Sequence, residues 1–180
     1  DLFADCTSLH RLSNTFYNCR QLTEIPDGLF SGCTEATEFN STFQNCTGIK
    51  DIPENLFANC REAISFNSTF YNCTGVDEIP EDLFAGCTKA ARFDQTFAFC
   101  KGITEIPSRL FSNCRQVTVF NKTFYSCPGI SDIPEDLFSG CAYVTSFNGT
   151  FSSCSHLKEI PAALFTGCSK VTDFAEVFAY

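Results

Sequence analysis

Tryptophan and methionine are absent from this sequence of 180 residues, and histidine occurs only twice. No apolar run approaches the roughly 18 residues that a membrane-spanning helix needs, so we do not expect membrane insertion. Positive charge is scarce, with 12 Lys and Arg against 21 Asp and Glu, which argues against binding to nucleic acid or anionic lipid. Disorder is excluded as well, because a hydrophobic content of 44% can offset the chain entropy.

Signatures of catalysis are also missing from the sequence. There is no nucleophile elbow, metalloprotease helix motif, phosphate-binding loop or dinucleotide fingerprint. The nearest pairing of cysteine with histidine, Cys154 with His156, does not recur elsewhere in the chain. We therefore predict that the protein is not an enzyme and that no residue is catalytic.

What the sequence does have is a strict repeat, which its cysteines mark. Their spacing alternates between 13 and 14 residues, which gives a period of 27. The cysteines are Cys6, Cys19, Cys33, Cys46, Cys60, Cys73, Cys87, Cys100, Cys114, Cys127, Cys141, Cys154 and Cys168. We call the 14-residue segment that begins at Cys19, and its equivalents, the first half of a repeat, and the 13-residue segment that begins at Cys33 the second half.

The two halves share one plan but close differently. First halves carry Ile-Pro and then Leu-Phe, as at Ile52 and Phe57, whereas second halves carry two phenylalanines, as at Phe66 and Phe70. A period of 27 without insertions indicates stacked units that bury their apolar side chains on one another. We predict a β-rich solenoid of 27-residue coils with short parallel strands, and Pro at a strand end or corner. Residues 1–180 form one such domain of about six and a half repeats, which we expect to be part of a longer chain.

The repeated segments resemble the BspA-like leucine-rich repeats of secreted and surface proteins. The resemblance is carried by FYNCRQL from Phe16, FQNCTGI from Phe43, FYNCTGV from Phe70 and VTSFNGTF from Val144. It covers essentially the whole chain, although Phe replaces much of the usual Leu and Ile-Pro ends the strand segment. The resemblance implies a right-handed solenoid, secreted or on the cell surface, that is used for adhesion or partner binding.

The cysteines allow three interpretations. They never come closer than 13 residues, so the paired spacing of zinc ligands is absent. Cysteines stacked at the coil rise would meet the Cα separation of a disulfide, but parallel side chains would hold their Cβ atoms too far apart. We therefore favour ladders of reduced, inward thiols that act as small apolar filler, with irregular disulfides as the alternative.

An acidic residue precedes every Ile-Pro pair, and we call this set the acidic column. It consists of Glu24, Asp51, Glu78, Glu105, Asp132 and Glu159. A partial second column follows the proline, at Asp27, Glu54, Glu81 and Glu135. The column predicts either binding of Ca²⁺ or of a basic partner, or a solvated face whose carboxylates accept backbone N–H groups and pair with lysines such as Lys50 and Lys158. No EF-hand or nonapeptide calcium signature is present, and no other cofactor is expected.

Six Asn-x-Ser/Thr sequons would permit glycosylation in a eukaryotic secretory pathway. They are Asn40, Asn45, Asn67, Asn72, Asn121 and Asn148. However, Thr96 persists where Asp94 replaces the Asn, and Thr15 persists beside Ser13. This persistence favours structural roles for both positions, in which the side chains bond backbone groups at a bend.

The most variable position of the repeat is a candidate partner-binding surface. It holds Arg11, Glu38, Ser65, Arg92, Val119, Ser146 and Asp173. Repeats that share a scaffold but differ at one position present different chemistry there, as a binding surface does, although drift at exposed positions would give the same pattern. Tyr17, Tyr71 and Tyr125 add amphipathic rings of the kind that anchor interfaces.

Two functions follow from these features. The first is an extracellular or cell-surface module that binds a protein or a glycan through its variable face. The second is a structural subunit of a fibre or filament, because the sequence begins and ends within a repeat and shows no polar capping units, so that copies could stack end to end.

Overall fold

A computed structural model describes residues 2–180, and β-turns that recur with the cysteine period organise its backbone. In the second half of a coil, the N–H of Thr42 donates to the carbonyl of Phe39, and the N–H of Cys46 donates to the carbonyl of Phe43. The third residue of each of these turns has a positive φ, 55° at Ser41 and 63° at Asn45. A positive φ at that position is typical of a type II turn.

Between these turns, alternate residues of the second half bond the next coil. The N–H groups of Phe39, Ser41, Phe43 and Asn45 donate to the carbonyls of Ser65, Asn67, Thr69 and Tyr71 at 2.8–2.9 Å. The N–H groups of Thr42, Gln44 and Cys46 close the turns within the coil, so nearly all backbone donors of this segment are satisfied. The coils therefore stack in parallel, and the chain is a solenoid.

The prediction of a β-rich coil with short strands is wrong. In residues 2–180 the backbone forms no helix, and its only sheet pairing is one isolated parallel bridge per coil step. The bridges join Arg11, Glu38, Ser65, Arg92, Val119, Ser146 and Asp173 in that order. The physical reason is the positive φ three residues later, as at Ser41, which ends the extended backbone before a strand can lengthen.

The first half of the coil is held together differently. Within residues 2–180, the only backbone hydrogen bond that joins two first halves runs from the N–H of Lys158 to the carbonyl of Ser131, at 3.1 Å. Stacked phenylalanine rings on this side, in the column from Phe3 to Phe165, lie 5.8–6.2 Å apart. In the second-half column from Phe16 to Phe178 they lie 5.3–5.7 Å apart. The coils are thus spaced more widely where no backbone ladder draws them together.

The core is one continuous cluster from Leu12 to Cys168. Its centre consists of phenylalanines from both halves, and neighbouring rings of different columns meet at steep angles, as do Phe57 and Phe66 at 4.9 Å and 69°. Steep contacts of this kind place a ring edge against a ring face, the favourable arrangement for aromatic quadrupoles. The phenylalanines therefore supply both the buried area and the directional contacts of each coil.

Gly75 and Gly102 lie where the backbones of successive first halves come close together. A Cβ atom at Gly75 would lie 2.5 Å from the carbonyl oxygen of Ile49, and one at Gly102 would lie 2.4 Å from that of Val76. Both distances are shorter than any ordinary carbon–oxygen contact, so a side chain at either position would push the coils apart.

A column of buried threonines holds the second half to its neighbour. The Oγ1 atom of Thr123 lies 2.8 Å from the carbonyl oxygen of Phe120 in its own coil and 2.9 Å from that of Phe93 in the preceding coil. The same pair of contacts recurs at Thr42, Thr69 and Thr150. This geometry explains why Thr persists where the sequon asparagine is lost, and it confirms the structural role predicted for the threonines.

Candidate functional site

The variable position and the sequon position of Asn40 lie side by side on one surface. Glu38 and Asn40 flank the buried Phe39, as alternate residues of an extended segment do. We call the two columns together the display face, which consists of the bridge column from Arg11 to Asp173 and of Asn40, Asn67, Asp94, Asn121 and Asn148. Contacts between the columns confirm their proximity: the Oγ of Ser65 donates to the Oδ1 of Asn40 at 2.6 Å.

The asparagines of the display face brace adjacent coils. The Oδ1 of Asn40 also accepts the backbone N–H of Asn67 at 3.1 Å, and the Oδ1 of Asn67 accepts that of Asp94 at 3.0 Å. Asn121 repeats the pattern with Asn148. Each of these amide oxygens therefore satisfies a backbone donor of the next coil, which is a structural reason for Asn at this position.

Charge on the display face is arranged in weak local pairs. Arg11 lies 3.6 Å from Glu38, and Arg92 lies 3.7 Å from Asp94. Burial raises the pKa of Asp94, although Arg92 acts in the opposite direction. Exposed pairs of this kind contribute at most about 1 kcal/mol, so the arginines remain available to a partner.

The three predicted tyrosines lie on a different part of the surface. Each comes three residues after the first positive-φ residue of its coil. We call this strip of the surface the turn edge. In each coil it consists of two residues, namely the one at the position of Tyr17, Tyr71 and Tyr125 and the residue that follows it. On it the Nδ2 of Asn45 donates to the Oδ1 of Asn18 at 2.8 Å, and the Nδ2 of Asn72 donates to the Oδ1 of Asn45 at 2.9 Å. Two of the six sequon asparagines thus belong to an amide ladder.

The ladder stops at Phe99, which the sequence analysis did not single out. Phe99 replaces the asparagine and has φ 63°, and no other residue with a large apolar side chain has a positive φ in residues 2–180. A left-handed conformation costs a residue with a Cβ atom about 1–2 kcal/mol. Its ring packs edge to face between Tyr71 and Tyr125, at centroid distances of 5.1 and 5.2 Å. The sequence does mark this position, because the pair Ala98-Phe99 stands where the coils on either side have Tyr71-Asn72 and Tyr125-Ser126.

The acidic column is solvent-exposed on the first half of the coils. A shallow groove of about 450 Å³ runs between two coils beside Glu78, Glu105 and Ile106. Two of the expected stabilising contacts form: Lys158 lies 3.6 Å from Asp132, and the Oε1 of Glu81 accepts the backbone N–H of Arg109 at 2.9 Å. The hydroxyl of Ser131, which donates to Asp132, lowers the pKa of that carboxyl group.

No three Asp, Glu, His or Cys side chains converge in a manner suited to a metal ion within residues 2–180. Binding of Ca²⁺ by Glu24, Asp51, Glu78, Glu105, Asp132 and Glu159 therefore stays a prediction. A melting temperature that rises with millimolar Ca²⁺ would support it, and an unchanged one would contradict it.

All thirteen cysteines are free thiols, and eleven of them are buried. In the ladder of cysteines that begin first halves, the thiol donates a hydrogen bond to a backbone carbonyl of the preceding coil. Cys100 donates to Phe70 at 3.0 Å, and Cys127 donates to Phe97 at 3.1 Å. Burial raises the pKa of Cys46 and Cys154 to about 11 and that of Cys60 and Cys141 to about 12. Because the thiolate is the reactive form, these cysteines are chemically quiet.

The two histidines are not brought together. The Nδ1 of His10 lies 3.0 Å from the carbonyl oxygen of Glu35, and His156 is exposed near the other end of the stack.

Within residues 2–180, the backbone contains no helix that is long and apolar enough to cross a membrane.

Comparisons with known proteins agree with this architecture. The model of the BspA type leucine-rich repeat region matches residues 1–175 in six copies. A comparison with curated protein sequences gives no match.

Among solved structures, the chain is similar to a chain of the Toll–Spatzle complex of Drosophila, with 16% identity and a TM-score of 0.40 over 85% of this chain and 22% of that one. A leucine-rich-repeat protein of T. pallidum is 21% identical, with a TM-score of 0.25 over 66% of this chain and 81% of that one. A leucine-rich cell surface protein of Faecalibacterium prausnitzii A2-165 is 16% identical, with a TM-score of 0.20 over 89% and 74%. The chain spans about a fifth of the Toll-complex chain. These scores are low, and the family model carries the assignment: six copies of its repeat span nearly the whole sequence, and the chain belongs to the BspA-type leucine-rich-repeat family.

Proposed function

We propose that this protein is a secreted or cell-surface module that binds a protein partner through its display face. The single observation that carries the proposal is the bridge column. Seven positions at the same place in successive coils, joined by parallel bridges, hold Arg, Glu, Ser, Arg, Val, Ser and Asp, above a phenylalanine core that hardly changes. A constant scaffold with a varied surface is how repeat proteins present binding chemistry.

The chemistry of the display face suits a protein surface. It offers separated charges at Arg11 and Arg92, an exposed aliphatic side chain at Ile64 beside the bridge column, and amides along the adjacent column. Tyr143, with 49% of its surface exposed, lies nearby under the ammonium group of Lys170, at 4.2 Å from the ring centroid. Tyrosine and arginine are the residues on which protein interfaces most often depend.

Placement outside the cell is compatible with free cysteines. Disulfides normally form in oxidising compartments, but oxidation and exchange need an accessible thiolate. Most of these thiols are buried and have a raised pKa, so they are neither accessible to solvent nor ionised at neutral pH. A reduced thiol core can therefore persist in a secreted protein.

The test compares two double variants that change the net charge equally. Arg11→Glu with Arg92→Glu alters the display face, whereas Lys50→Glu with Lys101→Glu alters exposed positions of the first half. Each is measured by surface plasmon resonance against a panel of extracellular proteins. We expect the display-face variant to weaken binding by about tenfold or more and the control to stay within about twofold, because only the former removes contacts. Equal losses would show nonspecific charge attraction and would refute the display face as the binding surface.

End-to-end assembly is the second candidate, and the sameness of the coil contacts favours it. Ring centroids of successive coils lie 5.5 Å apart at Phe43 and Phe70 and 5.6 Å apart at Phe97 and Phe124. A second copy that continued this contact at the end of the stack would form a head-to-tail interface between chains. Such an interface does not close into a ring when the copies follow one axis, which is the geometry of a filament. Negative-stain electron microscopy separates the candidates, because long uniform fibres would support assembly and isolated short rods would contradict it.

A further inference from the structure

We propose that the turn edge around Phe99 is a carbohydrate-binding platform, formed by Tyr71, Phe99 and Tyr125 with the amide of Asn72 and the ammonium of Lys122. This inference rests on the proposed function as an extracellular binding module. It adds a second ligand class, pyranose sugars, at a place separate from the display face.

Phe99 occupies a backbone position that is unfavourable for an aromatic residue. The preceding coil places Asn72 at this position, and Asn is well suited to the left-handed conformation. The next coil instead holds an aromatic ring in that conformation, at φ 63°, and shortens its neighbour in the chain to Ala98. Strain of this kind persists in folded proteins mainly where a function uses it.

The strained position of Phe99 completes a row of aromatic rings. In the coil of Phe99, the tyrosine position is occupied by Ala98, which is fully buried. Phe99 places its ring between Tyr71 and Tyr125, 5.1 Å and 5.2 Å from their centroids, and all three residues keep part of their surface exposed. The result is a continuous row of three rings over three coils, in which the middle ring comes from the position that holds an asparagine in the preceding coil.

Polar groups lie on both sides of the row of rings. The amide ladder that starts at Asn18 ends at Asn72, whose Oδ1 accepts no hydrogen bond from the part of the chain that the structure describes. The Nζ of Lys122 lies 5.6 Å from the ring centroid of Tyr125. An amide acceptor and an ammonium donor therefore flank the row of rings.

This combination matches a sugar ring better than a protein surface. A pyranose presents an apolar C–H face that packs on an aromatic ring, while its hydroxyl groups at the rim donate and accept hydrogen bonds. The row extends over two steps of 5.1 and 5.2 Å, a length suited to a short oligosaccharide. By itself it is far too small to supply the area of about 800 Å² per partner that a stable protein interface buries.

The test removes the middle ring alone, by the single substitution Phe99→Asn, which leaves Ala98, Tyr71 and Tyr125 in place. The wild-type chain and the variant are compared on a glycan array, and the dissociation constants of the glycans bound are measured by calorimetry. We expect the variant to stay folded, because Asn is well suited to the left-handed conformation, and to bind the glycan at least about tenfold more weakly, because the row of rings is broken. Glu105→Gln, on the first half of the same stack, is the matched control and should bind like the wild type.

Tyr125→Ala supplies a second test if the Phe99→Asn variant folds poorly, and it should also reduce glycan binding. A wild-type chain that binds no glycan on the array would overturn the platform, and so would a stable Phe99→Asn variant that binds as tightly as the wild type. Failure here is separable from failure of the proposed function. Protein binding that depends on Arg11 and Arg92 would stand without any glycan binding, and glycan binding that survives the Arg11→Glu and Arg92→Glu substitutions would stand without a protein partner.

Discussion

Alkaline pH should unfold this protein at values that most folded proteins tolerate. Nine cysteines have thiols whose pKa is raised far above the usual value because they are buried. In the unfolded chain the same thiols ionise near pH 8.5. As the pH rises past that point, the unfolded chain loses protons that the folded chain keeps, so the free energy of unfolding falls.

The size of the effect follows from the number of buried thiols. One pH unit above the unfolded pKa, each thiol that stays protonated in the folded state costs about 1.4 kcal/mol of stability. Nine such thiols together cost about 13 kcal/mol at about pH 9.5, comparable with the entire stability of about 5–15 kcal/mol of a typical domain. The loss continues until the pH reaches the folded values, about 11 for Cys46 and Cys154.

The assay is urea unfolding of the reduced protein, followed by circular dichroism, at several values between about pH 7.5 and 9.5. We expect the unfolding midpoint to fall steeply above about pH 8.5. The double variant Cys73→Ala with Cys100→Ala removes two thiols and should make the slope shallower by about 2.8 kcal/mol per pH unit. A free energy of unfolding that does not change over this range would refute the reasoning, and it would indicate that the thiols of the folded protein are accessible to solvent.

Three further predictions concern the stability of the stack, each checked by urea unfolding at neutral pH. Gly75→Ala should destabilise the protein by about 1–3 kcal/mol, because its Cβ atom would lie 2.5 Å from the carbonyl oxygen of Ile49; a loss below about 0.5 kcal/mol would contradict the close approach. Thr123→Val should cost about 1 kcal/mol by removing the hydroxyl that lies near two carbonyl oxygens, and a neutral result would mean that neither contact matters. Phe93→Ala should cost about 3–5 kcal/mol, whereas Phe174→Ala should cost much less, since Phe174 is 44% exposed and Phe93 is fully buried; equal losses would contradict the burial pattern.

The repeat could be predicted from the sequence because each coil position has one environment. Phe39, Phe66 and Phe93 occupy equivalent places and are all fully buried, so periodicity alone identifies them as core residues. The same holds for the threonine position, where the persistence of Thr15 and Thr96 without the asparagine indicates a structural role, and both hydroxyl groups bond backbone carbonyls. Family membership follows from the same regularity, since the repeat model matches in six copies.

The strands could not be predicted, because strand length depends on φ at single residues. Ser41 and Gln95 are neither Gly nor Asn, yet both take positive φ at the same place in their coils and end the extended segment there. A left-handed conformation at such residues is set by the backbone bonds of the neighbouring coils, as when the N–H of Ser41 donates to Asn67 at 2.8 Å. Side-chain identity carries little of that information.

The sequence by itself determined the period, the stacking of the coils, the buried columns of Phe, Cys and Thr, and the family. These follow from the burial of apolar side chains, which acts in the same way at every repeat. The tertiary structure decided which outward columns share a surface. It placed the Glu38 column beside the Asn40 column on the display face and Tyr71 against Phe99 on the turn edge. The physical reason is that a side chain's outward direction depends on the turns that precede it, and those turns are held by hydrogen bonds between coils that lie 27 residues apart in the chain.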